Sequence, residues 1–265
     1  MHGYRKIAVA GATGRVGRHV VDVLKAGGHD VVPIARSYGV DVVTGEGLAK
    51  ALAGVESVVD AATGPSPDQE AATKFFTTAA RNLQEAGERA GVRQIVVVSI
   101  IGTDRFTGGY GAAKFAHEQA MLSGPIPVRI LRAAQFHEFV PQLVDWGRQG
   151  DVSYVPKMRT QLVAARTVAQ ALADLALGSA PASGSSEAQI PEIAGPRAEN
   201  LVEMARLLVA RRGDAIRIES VSDPAFYGDD FESSWLLPGP GATLAGPTFE
   251  EWLDSAYSRA AAAGR

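Results

Sequence analysis

Three residues with reactive side chains lie close together in the middle of the sequence. Ser99 follows the apolar run Ile95–Val98, and Tyr110 comes eleven residues later, with Lys114 four positions beyond it. That spacing places Tyr110 and Lys114 on one face of a helix. A phenol can give a proton to an oxygen, a nearby ammonium makes the phenol more acidic, and a hydroxyl can hold the same oxygen. The trio suits reduction of a carbonyl or quinone, although a packing tyrosine beside a solvated lysine would show the same spacing.

A glycine-rich stretch near the N-terminus could hold the cofactor that such a reaction needs. The sequence GATGRVG at residues 11–17 follows the apolar run Ile7–Ala10 and precedes a helical pattern over residues 15–26. Gly11 suits a tight turn, Gly14 lets the backbone approach a pyrophosphate, and Gly17 lets the helix pack closely on the strand. A helix N-terminus also attracts phosphate. The stretch therefore predicts dinucleotide binding, with a plain tight turn as the alternative.

The ends of the second and third apolar runs add candidate cofactor contacts. Arg36 and Ser37 follow the run Val31–Ala35, where the adenosine ribose of a dinucleotide would lie. A cation and a hydroxyl suit a 2′-phosphate better than the acidic residue typical of NAD sites, so we expect NADP(H), with a solvated arginine as the alternative. Asp41 could reach the adenine or lie in a surface turn. The small residues that would let the cofactor pass over the third strand are Ala61, Ala62 and Thr63.

Composition excludes several other classes of protein. The chain has 265 residues, of which 46% are hydrophobic, which is enough for a full core. With 26 basic and 29 acidic residues, it has no positive excess to neutralise nucleic acid. It lacks cysteine, which excludes disulfides and thiolate sites, and its five scattered histidines predict no metal. We expect no signal peptide, no membrane span and a cytoplasmic monomer or homodimer.

Apolar runs alternate with helical patterns along the first 180 residues. The predicted strands are Ile7–Ala10, Val31–Ala35, Val58–Ala61, Ile95–Val98 and Val128–Leu131. After the helix over residues 15–26, the predicted helices are Asp68–Ala90, Gly111–Leu122, Phe136–Arg148 and Thr167–Leu177. This alternation predicts an α/β fold with a doubly wound parallel sheet and crossover helices.

The composition changes after this region. Small polar residues at 179–186 predict a loop, so we divide the chain into a cofactor domain, 1–180, and a small α+β substrate-binding or capping part, 181–265. That part should contain the helix Glu199–Arg212, the strand Ala215–Glu219 and a final helix from Thr248. Its aromatic residues could cap an apolar pocket or pack in a core; they are Phe226, Tyr227, Phe231 and Trp235.

The motifs together resemble a known family. The glycine stretch, Ser99 and the sequence YGAAK at 110–114 are similar to the atypical short-chain dehydrogenase/reductases, and most of all to their NmrA-like, NADP(H)-binding branch. The sequence LRAAQFH at 131–137 resembles that branch's turn beside the nicotinamide. The resemblance covers residues 1–180 and is loose beyond them. It implies a Rossmann domain with a small C-terminal substrate-binding part.

The resemblance also implies roles for individual residues. The cofactor loop would consist of Gly11, Thr13, Gly14, Arg15, Val16 and Gly17. Arg36 matches the 2′-phosphate position, and Ser99, Tyr110 and Lys114 match the active-site trio, with Lys114 also bonding the nicotinamide ribose. Many members of the branch lack the tyrosine and keep the lysine for the cofactor. Gln135, Phe136 and His137 would lie beside the nicotinamide and contact substrate, although His137 could instead be structural, as we expect of His117.

Three functions fit these observations. The first is an NADP(H)-dependent oxidoreductase that acts on a carbonyl or quinone, with a small apolar or aromatic substrate. The second is a non-catalytic sensor of NADP(H), which need not bring Ser99 and Tyr110 together. The third, a sugar-nucleotide epimerase or dehydratase, would need a diphosphate-binding cluster of arginines in the C-terminal part. Arg206, Arg211 and Arg212 could supply one only if they faced the cleft, and their spacing favours a solvated helix face.

Overall fold

The centre of the protein is a parallel sheet of seven strands. The computed structural model describes residues 3–178, 190–222 and 234–263. The first five strands of the sheet are β1 (Lys6–Ala10), β2 (Asp30–Ile34), β3 (Ser57–Asp60), β4 (Gln94–Ile100) and β5 (Val128–Ala133). Two short strands of the central sheet come from later in the chain, β9 (Glu192–Ala194) and β12 (Thr243–Leu244). The spatial order is β12-β9-β5-β4-β3-β1-β2, which confirms the predicted doubly wound, Rossmann-like sheet.

Helices cover both faces of this sheet. In chain order they are α1 (Gly17–Ala26), α2 (Leu48–Ala51), α3 (Gln69–Ala90), α4 (Gly109–Leu122), α5 (Phe139–Trp146) and α6 (Ala165–Leu177). Ile7 and Val9 of β1 pack with α1 and α6, whereas Ala8 and Ala10 pack in the cluster that contains α3. Because alternate strand residues point to opposite faces, β1 is buried on both sides. Strands of this kind can carry functional groups only at their ends.

A second layer is formed by the rest of the chain. Its helices are α7 (Leu201–Arg212) and α8 (Phe249–Ala263), and its strands are β6 (Arg148–Gln149), β7 (Val152–Pro156), β8 (Arg159–Thr160), β10 (Glu199–Asn200) and β11 (Arg217–Val221). One core cluster joins α5, α7 and α8 with β7 and β11. The predicted boundary at residue 180 stays a prediction, and strands on its C-terminal side lie in the central sheet.

The predicted helix starts differ from those in the structure by one to three residues, and two of these differences have a clear cause. Helix α1 begins at Gly17 rather than at residue 15, because residues 14–16 still belong to the glycine turn. Helix α5 begins at Phe139 rather than Phe136. The reason is an extended pairing: Val163 N–H donates to Gln135 O at 3.0 Å, and His137 N–H donates to Val163 O at 3.0 Å. The segment that bears the predicted substrate residues is thereby held by an isolated parallel bridge between Phe136 and Val163.

Helix α3 begins at Gln69, one residue after the predicted start, and ends at Ala90 as predicted. Asp68 Oδ1 accepts from Ala71 N–H at 2.9 Å and caps the first turn. Gly91 ends the helix in the left-handed conformation, with φ +78°. The predicted loop at 179–186 and the aromatic residues Phe226, Tyr227 and Phe231 lie outside the described residues.

Candidate active site

A cavity of about 380 Å³ opens at the carboxyl ends of the central strands. It lies where the strand order reverses between β1 and β3, which is where open α/β sheets bind ligands. It brings together eleven of the predicted site residues: Gly14, Arg15, Val16, Ala61, Ala62, Thr63, Ser99, Tyr110, Lys114, Gln135 and Phe136. The predicted cofactor loop, active-site trio and substrate turn therefore share one space.

The glycine loop is packed so closely that side chains would not fit. Gly11 has φ +72°, and a Cβ on it would lie 2.5 Å from the carbonyl oxygen of Ala61. A Cβ on Gly17 would lie 2.1 Å from the carbonyl oxygen of Gly11. The glycine turn that leads into α1 lines the cavity through Gly14 and Val16, at the N-terminal end of the helix, where the helix dipole is positive. These features fit a dinucleotide pyrophosphate.

Ser99 is placed in this cavity by β4. The residue is 2% exposed, and its hydroxyl has no hydrogen-bond partner in the described parts of the chain. A buried hydroxyl without a partner costs free energy, so such a group is expected to bond a ligand atom. Ser99 Oγ is therefore available to an oxygen or nitrogen of a bound molecule.

Tyr110 projects from the first turn of α4. Its hydroxyl lies 3.0 Å from Thr63 Oγ1, and its ring makes an edge contact with Phe76. Burial raises the pKa of Tyr110, while the hydrogen bond with Thr63 and the charge of Arg15 act in the opposite direction. The phenol is consequently protonated at neutral pH, as a proton donor must be.

Lys114 is almost fully enclosed one turn further along α4. Its ammonium donates to Val98 O at 2.9 Å and to His117 Nδ1 at 2.9 Å, and it lies 4.5 Å from the centre of the Phe76 ring. Burial lowers the pKa of Lys114 to about 8, although the carboxylates of Asp60 and Glu118 oppose this change. We expected Lys114 to acidify the phenol. In the structure the groups that lower the pKa of Tyr110 are instead Thr63 and Arg15, because the Lys114 ammonium is held by Val98 and His117.

His117 and Asp60 extend this network into the protein. His117 Nε2 lies 3.0 Å from Asp60 Oδ2, and Ala62 N–H donates to Asp60 Oδ1 at 3.0 Å. Burial opposes ionisation of Asp60, but the hydrogen bonds from His117 and Ala62 lower its pKa below the ordinary value. The sequence interpretation gave Asp60 no role and treated His117 as structural. The sequence did contain one signal for His117, because this residue lies three positions after Lys114 and therefore on the same helix face.

The predicted substrate turn divides between two environments. Gln135 lines the cavity. Its side-chain Oε1 accepts a hydrogen bond from the Thr160 hydroxyl, whereas its Nε2 has no hydrogen-bond partner among the described residues. Phe136 is also at the cavity wall. His137 is fully buried elsewhere, where its Nε2–H donates to Pro247 O at 3.0 Å and burial lowers its pKa to about 4. His137 is thus placed as a structural residue under α8.

The remaining predicted cofactor residues lie outside the cavity. Arg36 and Ser37 are exposed in the turn after β2, and Thr13 is exposed in the glycine loop. Asp41 Oδ1 accepts from Val43 N–H at 2.7 Å, so Asp41 lies in a surface turn, which was the alternative to contact with the adenine. Arg15, by contrast, lines the cavity and donates to Gln142 of α5 across it.

Arg206 of α7 is exposed, and the other two arginines of this helix are engaged in ion pairs. Arg211 pairs with Asp254, and Arg212 lies 3.6 Å from Asp145. Within residues 3–178, 190–222 and 234–263, no group of His, Cys, Asp or Glu side chains could hold a metal ion. None of the helices in these ranges is long and apolar enough to cross a membrane.

Comparison with known proteins agrees with this geometry. A family model described as NAD(P)H-binding matches residues 11–177, whereas no curated protein matches the sequence. A short-chain dehydrogenase/reductase superfamily protein from Agrobacterium tumefaciens, solved with bound NAD, is similar over 96% of both chains, with 18% identity and a TM-score of 0.64.

Two further solved structures show the same fold. The dTDP-4-dehydrorhamnose reductase from Bacillus anthracis, in complex with NADP, has 16% identity and a TM-score of 0.67, over 96% of this chain and 99% of that one. MoeE5, in complex with UDP-glucuronic acid and NAD, has 18% identity and a TM-score of 0.70, over 97% of this chain and 99% of that one. By its match to this family model over residues 11–177, the chain belongs to the NAD(P)H-binding family, and its glycine loop and parallel sheet fit a nicotinamide dinucleotide as the cofactor.

Proposed function

We propose that the protein is an NADP(H)-dependent oxidoreductase that reduces the carbonyl group of an apolar or aromatic molecule, or a quinone. One observation carries the proposal: Ser99, Tyr110 and Lys114 line the same cavity as the glycine loop. A dinucleotide with its pyrophosphate on that loop can extend along the strand ends toward these three side chains.

The roles follow from the chemistry of each group. When bound, the cofactor supplies hydride, with its two electrons, to the carbonyl carbon. The phenol of Tyr110 gives its proton to the carbonyl oxygen, and the unpartnered hydroxyl of Ser99 holds that oxygen by a hydrogen bond. Lys114 binds the nicotinamide ribose. The Tyr110 hydroxyl, which is bonded to Thr63, can then recover a proton from solvent.

The cavity wall favours a substrate with an apolar body. Phe136, Phe139 and Trp146 are among the residues that line it, and these large side chains suit an aromatic or alicyclic ring. Arg15 is the one arginine among the described residues that line it. A sugar-nucleotide diphosphate, which requires several cations, is therefore less well matched than an apolar carbonyl compound.

The preference for NADP(H) rests on Arg36 and Ser37. Both side chains are exposed directly after β2, so the guanidinium is free to approach a 2′-phosphate at the strand end. An Arg36→Ala variant should lose affinity for NADPH and keep its affinity for NADH. Equal losses for the two cofactors would contradict the preference.

The catalytic assignment is tested by a Tyr110→Phe variant. Turnover of NADPH with a panel of quinones and aldehydes should fall by about 100-fold or more, since general acid catalysis contributes 10²–10⁴-fold. The NADPH dissociation constant should stay unchanged. The matched control is Tyr4→Phe, because Tyr4 is 74% exposed and does not line the cavity. Full turnover by Tyr110→Phe would remove the proposed proton donor.

A non-catalytic sensor is the second candidate. It is favoured by one observation. The Tyr110 hydroxyl is bonded to Thr63, whereas the Ser99 hydroxyl has no partner among the described residues, so the two hydroxyls are not bonded to each other. A sensor should bind NADPH without oxidising it in the presence of any member of the panel. The open cavity favours the enzyme, because a sensor has no need of space beside the nicotinamide.

A further inference from the structure

The strongest feature outside the predicted trio is a buried chain of three ionisable side chains. It runs from Asp60 at the end of β3, through His117, to Lys114 on α4. Asp60 and His117 are each 1% exposed, and Lys114 is 6% exposed. Their contacts are 3.0 Å between Asp60 Oδ2 and His117 Nε2, and 2.9 Å between His117 Nδ1 and Lys114 Nζ. Only Lys114 reaches the cavity.

The hydrogen-bond inventory fixes the direction of the chain. An ammonium has three donors and no acceptor, and a neutral imidazole has one donor and one acceptor. Lys114 therefore donates to His117 Nδ1, and His117 donates from Nε2–H to Asp60. A second ammonium donor goes to Val98 O at 2.9 Å. The third remains for an acceptor in the cavity.

Charge balance explains why the carboxylate is buried with the lysine. A charged ammonium at this depth requires a compensating anion. Glu118 is also near, but Arg132 binds both of its oxygens, at 3.0 and 2.8 Å, and Arg132 also pairs with the half-exposed Asp104. Among the charged groups that face Lys114 from the described elements, Asp60 is the carboxylate with no cation of its own.

Phe76 closes the chain from the side of α3. Its ring stacks on His117, with centroids 4.8 Å apart, and lies 4.5 Å from Lys114 Nζ. It excludes water from the imidazole and offers its face to the ammonium. The imidazole is consequently fixed in orientation, as the contacts to Asp60 and Lys114 require.

We propose that Asp60 and His117 are positioning residues, which keep Lys114 charged and direct its third N–H into the cavity, toward an oxygen of the bound dinucleotide. The inference rests on the proposed function only in that Lys114 binds the ribose of the cofactor. It assigns to Asp60 the task of sustaining a cation that burial alone would neutralise. His117 transmits this effect because it bonds both partners.

The first test measures Lys114 directly. Protein with isotope-labelled lysine is titrated by NMR across the neutral and alkaline range, and the Lys114 signal is assigned with a Lys114→Arg variant. In the Asp60→Asn variant the pKa of Lys114 should fall by about one unit or more, a tenfold loss of proton affinity. Asp151→Asn, at an exposed turn, is the matched control and should leave it unchanged. An unchanged Lys114 pKa in folded Asp60→Asn protein would overturn the proposal.

Two substitutions of His117 separate its contacts. His117→Asn keeps an acceptor near the Nδ1 position, toward Lys114, and His117→Gln keeps a donor near the Nε2 position, toward Asp60. NADPH affinity, measured by fluorescence as a function of pH, should be retained better by His117→Asn than by His117→Gln. Equal affinities and pH profiles in two variants that unfold at the same temperature would contradict a positioning role.

The outcomes are distinguishable from failure of the proposed function. NMR titration and NADPH binding require no turnover, so a sensor would give the same results as an enzyme. Loss of turnover in Tyr110→Phe, with an unchanged Lys114 pKa in Asp60→Asn, would support the reaction and overturn the positioning role.

Discussion

Raising the pH from neutral should stabilise this protein, because its buried Lys114 carries a charge at a cost in free energy. The pKa of Lys114 is lowered by burial to about 8, against an ordinary value of 10.5. The unfolded chain therefore holds this proton more tightly, and the free energy of unfolding rises as the pH passes from 8 to 10.5. Since one pKa unit corresponds to about 1.4 kcal/mol, the full rise is about 3 kcal/mol. About 2 kcal/mol of it falls between about pH 7 and about pH 9.5.

The assay is urea unfolding at these two pH values, with a Lys114→Met variant as control. The variant lacks the titrating group, so its free energy of unfolding should rise by about 2 kcal/mol less than that of the natural protein. The chain has no cysteine, so no thiol titrates in this interval. The raised pKa of Tyr110 has its effect at higher pH. The same pH dependence in both proteins would show that burial does not lower the pKa of Lys114.

Three other perturbations test separate parts of the site. A Gly17→Ala variant should bind NADPH at least about tenfold more weakly in a fluorescence titration, since overpacking costs about 1–3 kcal/mol. The added Cβ would lie 2.1 Å from a backbone oxygen. The control is Gly241→Ala, where no atom lies within 4 Å of the added Cβ, and this variant should bind NADPH normally. Glu118→Ala should lower the free energy of unfolding in urea by about 3–5 kcal/mol, because it leaves the buried Arg132 charge without its two-oxygen partner; a loss below about 1 kcal/mol would mean that solvent replaces the carboxylate. Thr63→Val should raise the pKa of the neighbouring tyrosine, whose hydrogen bond with Thr63 favours ionisation, and a difference ultraviolet titration that shows no change would refute this.

The parts of the fold that depend on local pattern could be predicted from the sequence. The glycine stretch, the buried runs and the helix with Tyr110 and Lys114 follow from spacings within about twenty residues. Even the helix end at Gly91 was legible, because a left-handed glycine is the usual terminator. The shared cavity then follows, since the carboxyl ends of parallel strands meet at one edge of a sheet.

Contacts between distant segments were not predictable in the same way. Asp60 and His117 are 57 residues apart, and their meeting depends on how α3 and α4 pack over β3. His137 shows the same limit, because its environment is set by Pro247 and α8, more than a hundred residues later. Helix α5 begins late for a related reason, since Val163 pairs with the backbone of Gln135. Periodicity in one segment carries no information about such partners.

The short strands β9 and β12 limit how this scaffold can be recombined with its relatives. Arg132 N–H donates to Pro191 O at 3.0 Å, and Ala134 N–H donates to Ile193 O at 2.9 Å, so β5 is paired on its outer edge by a segment that follows residue 190. A chimera joined near residue 180 would combine β5 of one parent with β9 of another. A mismatch there would displace Gln135, which directly follows the last strand residues, and would expose an unpaired edge to aggregation. Transplanting a new specificity region therefore requires β9 and β12 to remain with the parent that supplies β5.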